Sequence, residues 1–223
     1  MKELLKFLRE LRENNDREWF KANKPRYDVL LKEHVAVVAK LIDRIATFDP
    51  EIAGLEAKNC IYRIYRDTRF SNDKTPYKTH FGAYMTGLGG RTSPYSGYYL
   101  HIEPDNSFIS GGVWCPEPKL LKQLRLDIYN NIEEFTALLA DKKFKQTYPK
   151  LEGETLQRVP NGFPKDSPYE AILRHKDFIV TCAKSEAFFE SEHWMDVVIE
   201  DFKTLYPFNR FLNYTVGNYF GKK

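Results

Sequence analysis

The sequence predicts an α+β fold: a central antiparallel sheet of about four strands flanked by N- and C-terminal helices. Three observations carry that reading. Apolar residues recur at helical spacing through residues 1–50 and again after residue 118. Between them, over residues 58–115, the period changes: residues 60–66 alternate in a strand-like way, rich in Tyr and Ile, and further strand-like runs follow. Connections between successive strands are short, which favours an antiparallel meander over crossovers. The chain has 223 residues, 42% hydrophobic and 29% charged, so it can bury a core without a disulfide or a metal. A single domain over 1–223 is expected: a helical part (1–50), a sheet (58–115) and a mainly helical part (118–220).

Each element has its own justification. Leu4, Leu8 and Leu11, with Phe7 beside them, define a first helix. Asn15 with Glu18 three residues later fits a capping box, so a second helix carrying Trp19 and Phe20 is expected there. Asn23-Lys24-Pro25 reads as another helix start, followed by the stripe Tyr27, Leu31, Val35, Val38, Leu41, Ile42 and Ile45. Strands are expected over 60–66, 79–86, 98–103 and 107–114, with Gly87, Gly89, Gly90 and Gly97 marking a loop. Helices return over 120–129, 132–140, 169–175, 192–205 and 209–219, and residues 160–168 form a Pro/Gly-rich loop.

Charge and cysteine usage restrict the class. Lys plus Arg is 34 and Asp plus Glu is 31, a net +3 too balanced for a protein devoted to duplex nucleic acid. Cys60, Cys115 and Cys182 are an odd set without a CxxC pair, which argues against a disulfide framework and a cysteine zinc site. Residues 1–10 alternate charged and apolar side chains, unlike a signal peptide, and no apolar run reaches membrane length. A reducing cytoplasm is the expected location.

The informative stretch runs from Arg63 to His80. Residues 58–80 hold six bases (Lys58, Arg63, Arg66, Arg69, Lys74, Lys78) and two acids (Asp67, Asp73), a local charge of 6 − 2 = +4. The rest of the chain therefore sums to −1. Arginine grips carboxylate or phosphate through a fixed fork of donors, and lysine adds point charge. An anion site is expected from Arg63, Arg66, Asp67, Arg69, Asp73, Lys74, Tyr77 and Lys78, with His101 beside it. Arg66, Arg69 and Lys78 would supply charge, Asp67 would orient an arginine, and Tyr77 would donate a hydrogen bond. The competing reading is a salt-bridge and turn network, but two acids cannot neutralise six bases. On a straight strand Arg63 and Arg66 face opposite ways, so their convergence requires a bulge or a strand end near Tyr65.

These residues also resemble a known family. The run Arg63-x-x-Arg66-Asp67-Thr68-Arg69-Phe70-Ser71-Asn72-Asp73-Lys74-Thr75-Pro76-Tyr77-Lys78 is similar to the signature of an uncharacterised conserved family, domain-of-unknown-function family 2461. Asn14-Asn15, Trp19-Phe20 and Tyr27 resemble its opening. Residues 97–102, Gly111-Gly112 and Leu121 to Ile128 resemble its centre, and Pro160 to Phe163 with Phe211-Leu212-Asn213 resemble its end. Asn72 departs from the pattern, which more often has lysine. The resemblance implies one domain and brings no activity, cofactor or catalytic residue.

Other candidates are weaker. His101 and Glu103 share a strand face with Tyr99, and His80 lies on the preceding strand. The three could hold a divalent metal, but no recognised ligand spacing is present and none is expected. Acid–base use of His80 or His101 is the better reading. His34 reads as a packed histidine, and His175 and His193 as surface residues. Cys60 and Cys182 read as core thiols and Cys115 as exposed. Gly87-Leu88-Gly89-Gly90 lacks a phosphate-loop pattern. Arg125 either pairs with an acid or reaches the anion site. Alternating tyrosines are ordinary sheet residues by propensity. Two functional hypotheses remain: a pocket for a small phosphate- or carboxylate-bearing ligand, or a non-enzymatic scaffold docking an acidic protein or a nucleic-acid backbone. The sequence names no reaction, cofactor or oligomeric state.

Overall fold

The computed structural model describes residues 1–221. It is an α+β structure whose N- and C-terminal helices flank an antiparallel sheet, and the sheet has five strands rather than about four. In chain order the elements are α1 (Lys2–Glu13), α2 (Arg17–Ile45), the short α3 (Ala57–Cys60), β1 (Phe81–Met85), β2 (Gly97–Ile102), β3 (Ser107–Val113), α4 (Pro118–Asn130), α5 (Ile132–Ala140), α6 (Lys142–Thr147), β4 (Leu151–Glu152), α7 (Glu170–Leu173), β5 (Phe178–Lys184) and α8 (Trp194–Tyr219). The strand order is β1-β2-β3-β5-β4, so the meander β1-β2-β3 is followed by a late strand from the C-terminal half. No described helix is long and apolar enough to cross a membrane.

Several expectations need correction. Residues 60–66 do not form a strand; they make two isolated bridges, Ile61 to Ala83 and Tyr65 to Tyr77. The helix expected to restart at residues 23–25 is continuous, because α2 runs straight through Pro25. Likewise α8 runs through Pro207 instead of breaking into two pieces. An internal proline removes one ladder hydrogen bond at a cost of about 3 kcal/mol. In α2 the buried residues Phe20, Tyr27 and Leu30 on both sides of Pro25 offset that cost. The N-cap is Asp16, whose carboxylate accepts from the Glu18 and Trp19 amides, not Asn15.

The chain forms two compact units. The first comprises Met1–Thr92, Tyr99–Ile109 and Ala183–Glu200. Its core joins α1 to α2: Phe7 packs on Trp19 and Tyr27, and Tyr27 and His34 both pack on Phe81. His34 is 1% exposed and packed, as the helical stripe implies. Asn15, released from capping, clamps Tyr77: its Nδ2 donates to the Tyr77 carbonyl at 3.0 Å, and the Tyr77 amide donates to its Oδ1 at 3.1 Å. Tyr77 in turn stacks on Phe20 with ring centroids 4.0 Å apart. That pair anchors the base of the Arg63–His80 segment.

The second unit comprises Ser93–Tyr98, Ser110–Cys182 and Asp201–Lys223, described to residue 221. Tyr98 packs on Phe202, and Phe135 packs on Phe178, Phe208 and Phe211. Asn209 and Asn213 of α8 fix the entry to β2: the Ser96 amide donates to Asn213, which donates back to the Ser96 carbonyl, and Asn209 donates to the Gly97 carbonyl. His175 and Cys182 are half-buried here, not surface and core as expected. Arg125 is buried and donates to the His175 carbonyl at 2.7 Å; its partner is backbone, not an acid.

Gly112 marks the tightest approach between β3 and β5. Its φ is +113°, and a Cβ there would lie 2.0 Å from the Phe178 carbonyl oxygen. Backbone cannot yield as a side-chain tip can. Gly112→Ala is therefore expected to cost at least about 2 kcal/mol in chemical denaturation. A loss within the roughly 0.5 kcal/mol typical of surface substitutions would contradict this packing.

Candidate functional site

The Arg63–His80 segment folds as a pinched excursion. The Arg66 amide donates to the Pro76 carbonyl and the Lys78 amide to the Ile64 carbonyl, closing the base. Beyond that base, residues 67–75 protrude. Within them Arg66 donates to Asp73 and to the Thr75 hydroxyl and carbonyl. Arg69 makes a bidentate pair with Asp67, at 3.0 and 2.7 Å. Lys74 donates to the Thr68 carbonyl at 2.9 Å. The hydrogen bonds from Arg69 pull the Asp67 carboxyl down to about 2; the Thr75 amide, then Arg66 and the Thr75 hydroxyl, do the same for Asp73.

The two arginines expected to face a guest are thus the two that hold acids. The cationic surplus remains, on other residues. Two acids engage Arg66 and Arg69, leaving Lys58, Arg63, Lys74 and Lys78 as the +4. Among the described residues Arg63 and Lys78 make no ion pair. Lys78 is half-buried, its ammonium 5.3 Å from the centre of the Tyr62 ring. Burial and the neighbouring Arg63 both push its pKa down. Tyr77 is 6% exposed and belongs to the anchor against Phe20 rather than to an open site.

Next to Lys78 two side chains of β2 and Glu103, the residue that follows it, build a polar line. Tyr99, His101 and Glu103 alternate with the buried Tyr98, Leu100 and Ile102, so they share the opposite face. The Tyr99 hydroxyl lies 2.9 Å from His101 Nδ1, and His101 Nε2 lies 3.1 Å from a Glu103 oxygen. Glu103 also accepts from the Thr79 hydroxyl at 2.7 Å and the Asn106 amide at 3.0 Å. His101 is 7% exposed, enclosed by Phe108 on one side (centroids 4.5 Å apart) and His80 on the other (4.3 Å). Gly82 makes room for this line, since a Cβ there would approach the Tyr99 hydroxyl to 2.8 Å.

The electrostatics follow from enclosure. Burial lowers the His101 pKa, partly opposed by the hydrogen bond to Glu103. Burial, His101 and Lys78 bring His80 down to about 4. Burial pushes Glu103 up, but its bonds from Thr79, His101 and Asn106 outweigh that and leave it lowered. Near neutral pH the line is therefore two uncharged imidazoles and one carboxylate. An ionised Glu103 only accepts, so a neutral His101 carries its proton on Nε2, directed at Glu103, and accepts at Nδ1 from the Tyr99 hydroxyl.

Of the residues picked from sequence, the fold brings Arg63 to Lys78 and Lys78 to His80, which packs on His101, and leaves Arg66, Asp67, Arg69, Asp73 and Lys74 on or at the foot of the excursion. Sequence reasoning does not single out Tyr62, Tyr99, Thr79, Asn106 or Phe108 as site residues. The alternation Tyr99-His101-Glu103 and the grouping of His80 with it are read from the sequence; the close packing of the His80 ring on His101 is not. A cavity of about 560 Å³ lies elsewhere, in the second unit, lined by Asp127, Glu134, Arg210 and Tyr214 among others. Two acids line it with Arg210, so it offers an anion no surplus positive charge.

The family model described as Conserved hypothetical protein (DUF2461) matches residues 3–211. The chain belongs to that family. No curated protein and no solved structure matches it.

The histidines set a pH dependence. His34 and His80 ionise at about 6.5 when unfolded and at about 4 when folded. Between those values the unfolded chain binds protons that the folded chain refuses, so stability falls as pH drops through that window. Thermal midpoints are expected to decline from pH 6.5 towards 4, with a shallower slope in His80→Asn. A midpoint flat across the window would contradict the neutral, enclosed imidazoles.

Proposed function

We propose that this protein binds a small phosphate- or carboxylate-bearing molecule between Arg63 and Lys78, beside the His80–His101 pair. The observation that carries the reading is a pair of adjacent cations that make no ion pair with a described residue, with Asp67, already bound by Arg69, the acid whose charge Arg63 feels. An anion between Arg63 and Lys78 relieves their mutual repulsion. Tyr62 offers an aromatic wall, and His80, neutral and without a hydrogen bond to a described residue, can accept or relay a proton. Whether chemistry follows binding depends on the ligand. The three cysteines, none of them in a disulfide, support a reducing, cytoplasmic setting as part of this proposal.

One observation favours the docking alternative. Phe70 is 95% exposed at the tip of the excursion, with the Arg69 guanidinium 5.8 Å from its ring centre. An exposed aromatic beside a cation suits an acidic peptide or unpaired bases. Binding of that kind falls steeply with salt and is lost in Phe70→Ala.

The test is a thermal-shift titration with inorganic phosphate, sugar phosphates and dicarboxylates. Wild-type protein is expected to be stabilised by at least one of these at millimolar concentration. Lys78→Ala should weaken that binding by about tenfold or more, the worth of one charge-assisted bond, while Arg69→Ala leaves it unchanged. No shift with any anion, or an equal shift in Lys78→Ala, would overturn the proposal.

A further inference from the structure

We infer that His80, His101 and Glu103 form a binding site for one divalent first-row transition ion, of which zinc is the working probe. Among the described residues these are the one group of three potential ligands in which a ring nitrogen of each histidine and a Glu103 oxygen all lie within 4.8 Å of one another. Two imidazoles and a carboxylate are a donor set that holds zinc and related ions with a further position open to water or substrate. A tetrahedral ion with bonds of about 2.0–2.2 Å spaces its ligands roughly 3.3–3.5 Å apart. His101 Nε2 and Glu103 are already at 3.1 Å, so closure falls mainly on His80. His80 is free to provide it, being half-buried and hydrogen-bonded to no described residue.

The surrounding groups fit the role. Metal-binding histidines and carboxylates are held from behind by outer partners. Here Tyr99 holds His101 at Nδ1, and Thr79 and Asn106 hold Glu103. Loading requires the His101 proton to move from Nε2 to Nδ1. The Tyr99 hydroxyl oxygen then accepts it as a hydrogen bond, and the freed Nε2 lone pair faces the ion. No net proton is gained or lost at the ring. Phe108, stacked on His101, keeps the ring plane fixed while the proton shifts. Glu103 supplies the one negative charge, which leaves the loaded ion net positive and open to an anion on its free side.

The ion needs neither Arg63 nor Lys78, although His80 borders the proposed anion site as well. Metal-stripped full-length protein is titrated with zinc by calorimetry, and with cobalt(II) followed by its visible absorption. One ion per chain is expected. His80→Ala, at a half-exposed position whose loss leaves the core intact, should reduce affinity at least tenfold. Tyr99→Phe should reduce it by about 10- to 100-fold, as for other outer-shell partners. Lys78→Ala should bind zinc as well as wild type or better, so failure here is distinguishable from failure of the anion site. Absence of saturable binding at one equivalent, or binding indifferent to His80→Ala in a protein with unchanged circular dichroism, would overturn the inference.

Discussion

The candidate site depends on the enclosure of one imidazole. His101 lies between two rings, His80 and Phe108, with a hydroxyl at one nitrogen and a carboxylate at the other. A buried polar ring is costly unless its nitrogens are satisfied, and a satisfied one has a defined orientation and tautomer. Everything else in the line is arranged around it. Gly82 leaves space for the Tyr99 hydroxyl, and Thr79 and Asn106 keep Glu103 ionised and directed. The strand period does the rest, because residues two apart on β2 must share a face. A neutral, oriented imidazole pair next to two cations can bind, relay protons or ligate.

Charge in the neighbouring segment is sorted by geometry rather than spread evenly. The excursion 67–75 neutralises its own arginines with the two acids that its turns bring within reach. Those exposed pairs contribute little to stability, since solvent and salt screen them. Their consequence is positional. They occupy Arg66 and Arg69, while Arg63 and Lys78 at the base of the segment make no ion pair with a described residue. There the Asn15 clamp and the Tyr77–Phe20 stack hold the backbone against α2.

Much of this is legible in the sequence and some is not, for identifiable reasons. The expected bounds of strands β1, β2 and β3 fall within a residue or two of those observed. Residues 60–66 alternate, yet only two bridges form, because periodicity reports a face and not a hydrogen-bonded neighbour. Strand β5 escapes the pattern: Phe178-Ile179-Val180-Thr181 has β character, but it lies deep in a helical half. The helix start expected at residues 23–25 and the gap expected over 206–208 are both overridden, since α2 and α8 run through Pro25 and Pro207. The charge surplus is countable from composition alone. Which arginines hold acids is not, since that depends on turn geometry at Asp67 and Asp73. The line Tyr99-His101-Glu103 and its grouping with His80 can be read from the sequence, whereas the close packing of the His80 ring on His101 cannot.

The most direct measurement is nitrogen-resolved NMR of the histidine rings in the metal-free protein near neutral pH. The structure predicts that His101 is uncharged, carries its proton on Nε2 and accepts at Nδ1. A charged His101 ring, or one protonated at Nδ1, would contradict the hydrogen-bonded line from Tyr99 to Glu103 on which the site is built.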